Sequence, residues 1–91
     1  MSDNLERTVL IANRRGLHAR ASAKFVTLAS AQAAAIEVAK DGSRVAGTSI
    51  MGLMMLGAAL GDSVTISASG KDADQALAAL VGLVENKFGE E

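Results

Sequence analysis

Residues 62–69 read Asp62-Ser63-Val64-Thr65-Ile66-Ser67-Ala68-Ser69, an unbroken alternation of apolar and polar side chains from Ser63 onward. Successive side chains of a strand point to opposite faces. Val64, Ile66 and Ala68 therefore share one side, and Ser63, Thr65, Ser67 and Ser69 the other. Such a strand belongs in an antiparallel sheet with one dry and one wet face. The dry face needs an apolar cover, and the rest of the chain offers amphipathic helices. Ala73, Ala76, Leu77, Leu80, Val84 and Phe88 recur at helical spacing, which predicts a helix running to about Lys87 and ended by Gly89. Asp72, with Gln75 three residues later, has the form of a capping box at its start. A second helix, over about 18–30, sets Ala21, Phe25, Leu28 and Ala29 on one face and leaves Ser22 and Lys24 outside it.

Three further strands are predicted. Residues 7–12 are β-rich and bounded by polar residues. In residues 35–39, Ile36 and Val38 share a face and Glu37 points the other way. Asp41-Gly42 is a tight-hairpin signal, and the return over 43–46 is short and weakly apolar, as suits an edge strand. Thr48 or Ser49 can cap a short helix over 50–56. That helix is apolar all round, so a buried core helix is one reading. The other follows from size: a single-layer domain cannot bury every face of a short extra helix. Ile50 and Met51 would then be exposed as a partner surface, to which methionines adapt well. The element order is βαββαβα, an α+β fold with helices packed on one face of an antiparallel sheet.

At 91 residues the chain is expected to form one domain over 1–91. The apolar fraction of 49% fits a folded globule, yet the only aromatics are Phe25 and Phe88, so the core must be aliphatic. A net charge of −1 excludes nucleic-acid binding by bulk electrostatics and makes any anion site local. One histidine and no cysteine exclude a disulfide framework and thiolate chemistry and argue against a structural metal site. No apolar run reaches 18 residues, so membrane insertion is not expected. The polar start Met1-Ser2-Asp3-Asn4 is unlike a secretory signal, and the expectation is a cytoplasmic protein.

The chemistry concentrates at residues 14–25, Arg14-Arg15-Gly16-Leu17-His18-Ala19-Arg20-Ala21-Ser22-Ala23-Lys24-Phe25. This stretch holds the single histidine and four of the nine basic residues, with no acid among them. Gly16 allows the strand to turn into a helix, placing His18 at or near the helix N-terminus. Backbone N–H groups there lack intrahelical partners and attract anions. A neutral imidazole keeps one ring nitrogen with a free lone pair, and Arg20 offers a planar fork to phosphoryl oxygens. Together these suit a phosphoryl group carried on His18, with no cofactor or metal of its own. Lys24 reads first as solvated surface, with a second positive charge near the anion site as the alternative.

Gly16-Leu17-His18-Ala19-Arg20, followed by Ala23-Lys24-Phe25-Val26, resembles the active-site motif of the HPr family. These are the histidine phosphocarriers of the bacterial phosphoenolpyruvate-dependent phosphotransferase system (PTS). Thr48-Ser49-Ile50-Met51-Gly52-Leu53-Met54 resembles that family's regulatory-serine segment, and Val64 through Gly70 its last strand and turn. The resemblance implies an open-faced β-sandwich, with four antiparallel strands covered on one side by three helices. It implies that His18 takes a phosphoryl group on Nδ1 from enzyme I and passes it to enzyme II A domains, with Arg20 beside it. It implies that Ser49 matches a serine phosphorylated in some bacteria by HPr kinase/phosphorylase, and that Ile50, Met51 and Met54 match residues that dock partners. Many members read His-Ala-Arg-Pro where this chain has Ala21, an excellent helix former, so no chemistry is lost. Arg14 and Arg15 either tune partner choice or solvate the loop.

Such a protein is a carrier rather than a free-standing enzyme, and a monomer is expected because one face must serve several partners. Two other readings are a paralogous carrier of the nitrogen-related regulatory PTS branch and a small anion- or nucleic-acid-binding module. The second is disfavoured because the sheet carries no exposed aromatics on which bases could stack.

Overall fold

The computed structural model describes residues 4–90; the polar start noted above falls largely outside them, at residues 1–3. Four strands, β1 (Leu5–Leu10), β2 (Ala35–Lys40), β3 (Ser43–Ala46) and β4 (Ser63–Ser69), alternate with three helices, α1 (Ala19–Ser30), α2 (Ile50–Met55) and α3 (Ala73–Glu85). The sheet is antiparallel, in the order β1-β4-β2-β3, so β3 is an edge strand as its composition predicted. The βαββαβα open-faced sandwich is the expected architecture. The first strand lies two residues earlier than expected. Leu5 pairs with Ala68 and Leu10 with Ser63, whereas Ile11 leaves the ladder and bonds to Gly61 and Asp62 in the preceding loop.

Register explains the dry face. Val9 pairs with Val64, Ile36 with Ala68 and Val38 with Ile66, and all six are buried. α3 packs against β1 and β4, and α1 packs on both α2 and α3. The two phenylalanines, Phe25 and Phe88, are the largest side chains fully enclosed. Asp41 and Gly42 both take positive φ (49° and 85°), the geometry of a two-residue hairpin turn matched to strand twist.

Ser67 faces away from the core as assigned, paired with Glu6 and Glu37, yet it is only 4% exposed. Arg44 reaches over it from β3, 3.5 Å from its hydroxyl, held by Glu37 at 2.7 Å and by Glu6 at 3.9 Å. The open face at β4 is thus roofed by an ion-pair cluster. Two other local expectations are corrected. Ser22, placed outside the α1 stripe, is buried because its hydroxyl donates to the Leu17 carbonyl at 3.1 Å. The capping box at Asp72 does not form: Asp72 takes a left-handed conformation (φ 57°) and its side chain makes no cap hydrogen bond. In that conformation the side chain does not meet the first-turn N–H groups that an extended N-cap faces.

The end of α3 also differs. The helix stops at Glu85, and Lys87, Phe88 and Gly89 form a short 3-10 turn with φ of 56°, 55° and 76°. Phe88 keeps its predicted core position by this sharp reversal rather than by helical continuation.

Candidate functional site

The loop from Asn13 to Leu17 sets the site. Gly16 has φ +62°, and a Cβ there would collide with the Ala58 carbonyl oxygen. Glycine alone meets both demands at once. The next residue, Leu17, donates its N–H to that same carbonyl at 3.0 Å. The chain is thereby stapled to the 57–61 connection just before His18.

His18 is the N-cap of α1, with extended backbone (φ −71°, ψ 177°). Its Nδ1 accepts the Arg20 backbone N–H at 3.2 Å, in the manner of a Ser or Asn cap. On the other side of the ring, Nε2 lies 2.6 Å from Glu90 Oε2. A nitrogen that accepts an N–H carries no proton, so Nδ1 holds the lone pair and Nε2–H donates to the carboxylate. The imidazole is therefore held as the Nε2–H tautomer, with Nδ1 as its nucleophilic atom. The ring is 15% exposed and the Glu90 side chain 20%, enough for a partner to approach.

Glu90 is a residue that the sequence did not disclose. It stands 72 positions from His18, and no local pattern joins the two. Its other oxygen, Oε1, accepts from Asn13 Nδ2 at 3.1 Å, and the same Nδ2 donates to the Gly16 carbonyl at 2.8 Å. Asn13 is fully buried, so this amide is a fixed anchor rather than a surface contact. The Glu90 carboxyl is held below the usual carboxylate range, first by the His18 hydrogen bond and then by Asn13, against a smaller opposing effect of burial.

The remaining candidates divide. Arg14, Arg15 and Arg20 are exposed, and their guanidinium groups form no ion pair among the described residues. Arg20 follows His18 by two residues, and it is its backbone N–H that reaches Nδ1. Lys24 is exposed but not simply solvated: its amine donates to the Phe88 carbonyl at 2.8 Å, and its charge contributes to lowering the Glu90 pKa. Of the two readings of Lys24, its position fits the second positive charge near the site.

Ser49 is the N-cap of α2, its Oγ accepting the Gly52 N–H at 2.9 Å; Thr48 does not take that role. Gly52 lets the helix approach β3, since a Cβ there would lie 3.0 Å from both the Ser49 hydroxyl oxygen and Val45 Cβ. Leu53 and Leu56 anchor the helix in the core. Ile50, Met51 and Met54 are exposed, with Met51 at 67%. Met55, not singled out in the sequence, is the most exposed of the group at 79%. Because α2 packs against α1, this apolar surface belongs to the helical layer that carries His18.

Known proteins match this arrangement. The profile of the family described as PTS HPr component, phosphorylation site, matches residues 5–86. The phosphocarrier protein HPr of Cupriavidus necator is 44% identical, over 94% of this chain and 97% of its own length. The phosphocarrier protein NPr of Shewanella violacea is 43% identical, over 94% of each chain. The crystal structure of HPr-C-His from Thermoanaerobacter tengcongensis superposes with a TM-score of 0.91 at 49% identity, covering 96% of this chain and 98% of that one.

Proposed function

The chain belongs to the HPr family of PTS phosphocarriers, and from that premise we propose that His18 is its phosphoryl-carrying residue, acting through Nδ1. The observation that carries this is the doubly tethered imidazole, whose unprotonated Nδ1 sits at the start of α1 against the Arg20 backbone N–H.

Enzyme I donates the group. The Nδ1 lone pair attacks phosphorus while the donor's P–N bond breaks, and its electron pair stays on the donor nitrogen. The Arg20 N–H, which caps Nδ1 in the free protein, is then released to a phosphoryl oxygen. The positive end of α1 and the Arg20 guanidinium take up the added negative charge. Transfer to a histidine of an enzyme II A domain is the reverse exchange with a new acceptor. Ile50, Met51 and Met54 supply apolar docking contacts, with Arg14, Arg15 and Lys24 as basic flanks. The protein acts in the cytoplasm as a single HPr-like domain over residues 1–91 and as a monomer, since one face serves successive partners.

Ser49 is proposed as a regulatory phosphorylation site for HPr kinase/phosphorylase. A phosphate on its Oγ would lie at the start of α2 and set negative charge among Ile50 and Met51. Partners with acidic surroundings at their histidine would then dock less well.

A second reading, service in the nitrogen-related branch, is favoured by the near-equal identity to the Shewanella violacea NPr. The module reading is retired by the family assignment.

The test is intact-mass spectrometry at neutral to alkaline pH after incubation with enzyme I, magnesium and phosphoenolpyruvate. One acid-labile phosphoryl group, absent in His18→Ala, is expected. No phosphorylation by enzyme I of either branch would overturn the assignment, and a preference for one of them decides the branch.

A further inference from the structure

The family profile ends at residue 86, yet the chain closes on the site from beyond it. Lys87 and Phe88 both take positive φ, a conformation that non-glycine residues adopt only when their surroundings impose it. Two contacts impose it here. The Phe88 ring is buried in the core, and its carbonyl is held by the Lys24 amine at 2.8 Å. The reversal aims Glu90 back across the molecule at His18, where buried Asn13 fixes its second oxygen. Strained backbone, an engaged lysine and a buried amide thus converge on one carboxylate.

We propose that Glu90 is a positioning residue for phosphoryl transfer, holding His18 in the tautomer whose Nδ1 is the nucleophile. The inference rests on the phosphocarrier reading above. When Nδ1 forms its bond to phosphorus, the ring keeps its proton on Nε2 and becomes positively charged. The Glu90 carboxylate already faces that N–H and needs no rearrangement to oppose the charge. When the phosphoryl group leaves, the bonding pair returns to Nδ1 and the ring is neutral again. Asn13 serves by keeping the carboxylate from swinging into solvent. The arrangement parallels other histidines whose working nitrogen is selected by a hydrogen bond at the far one.

The test compares the full-length protein with Glu90→Ala and Glu90→Gln. Imidazole 15N shifts and couplings of histidine-labelled protein at mildly alkaline pH report the tautomer. Steady-state transfer from enzyme I reports kcat and KM. The wild type is expected to be the Nε2–H form. Glu90→Ala is expected to become a mixture of tautomers, with kcat lowered about tenfold and KM for the carrier changed by less than about twofold. Glu90→Gln keeps an acceptor without the charge, so the tautomer is expected to hold while kcat falls between the other two. Wild-type tautomer and kcat in Glu90→Ala would overturn the proposal. Equal kcat losses in both variants with the tautomer unchanged would overturn it too, assigning the tail to stability alone. The tautomer measurement needs no phosphoryl donor, so it stands even if His18 of the wild type proves not to be the carrier.

Discussion

At the scale of single residues, the site depends on positions that carry no reactive group. Gly16→Ala would need φ near +62° and would drive a methyl group into the Ala58 carbonyl. A loss of at least about 2 kcal/mol is expected in chemical denaturation, against about 0.5 kcal/mol for an ordinary surface change. Glu90 gives a pH signature. Its folded-state pKa is depressed, so the unfolded chain protonates first as pH falls. The tail contact contributes fully above the ordinary glutamate value of 4.5 and is lost as pH falls through the lower folded value. A 13C titration of the Glu90 carboxyl should have its midpoint below 4.5; a midpoint at or above that value would contradict the contact. His18, Arg20 and Ser49 stood out as candidates in the sequence because each lies inside a short motif with its own logic. Asn13 was not: a buried asparagine in a turn looks like any other loop asparagine until its partner from the far end of the chain is known.

At the scale of elements, α2 is the informative case. An all-apolar hexamer with a glycine is a poor isolated helix, and it exists because Ser49 caps it while Leu53 and Leu56 hold it to the core. Ser49→Ala should lower stability by about 1 kcal/mol in thermal or chemical unfolding. Ser49→Asp should keep the cap yet slow phosphotransfer from enzyme I, so unaltered transfer would remove the regulatory reading. Met51→Asp should leave stability within about 0.5 kcal/mol, because the side chain is already in water. It should nonetheless raise KM for the carrier at enzyme I by about tenfold or more, as expected for an anchor at the centre of an interface. Local pattern located all seven main elements: a period of two or 3.6 for β2, β4, α1 and α3, β-rich composition for β1, the Asp41-Gly42 turn for β3 and a capped apolar run for α2. It failed at their ends. The Asp72 capping box and the helical path through Lys87 were both overruled by left-handed backbone, which a side-chain pattern does not encode. Ser67 kept its assigned face, but its burial was not foreseen, since the Arg44 roof comes from a strand two places away across the sheet.

At the scale of the whole molecule, the two ends of the chain meet at His18. The N-terminal third supplies Asn13, His18 and Lys24, and the last turn supplies Phe88 and Glu90. The carrier is thus completed only when α3 has docked and Phe88 has entered the core. Phe88→Ala should cost about 3–5 kcal/mol in unfolding free energy and release Glu90 from His18 even at temperatures where the variant stays folded. The fold and the candidate histidine were readable because strands, helices and the histidine motif are local in sequence. The closure was not, because it is a long-range contact between a loop and a tail with no shared pattern. The most direct test of this account is the 15N spectrum of the histidine-labelled protein after phosphorylation by enzyme I. Phosphorus coupled to Nδ1 of His18, with the proton retained on Nε2, is the expected result; a phosphoryl group on Nε2 would contradict it.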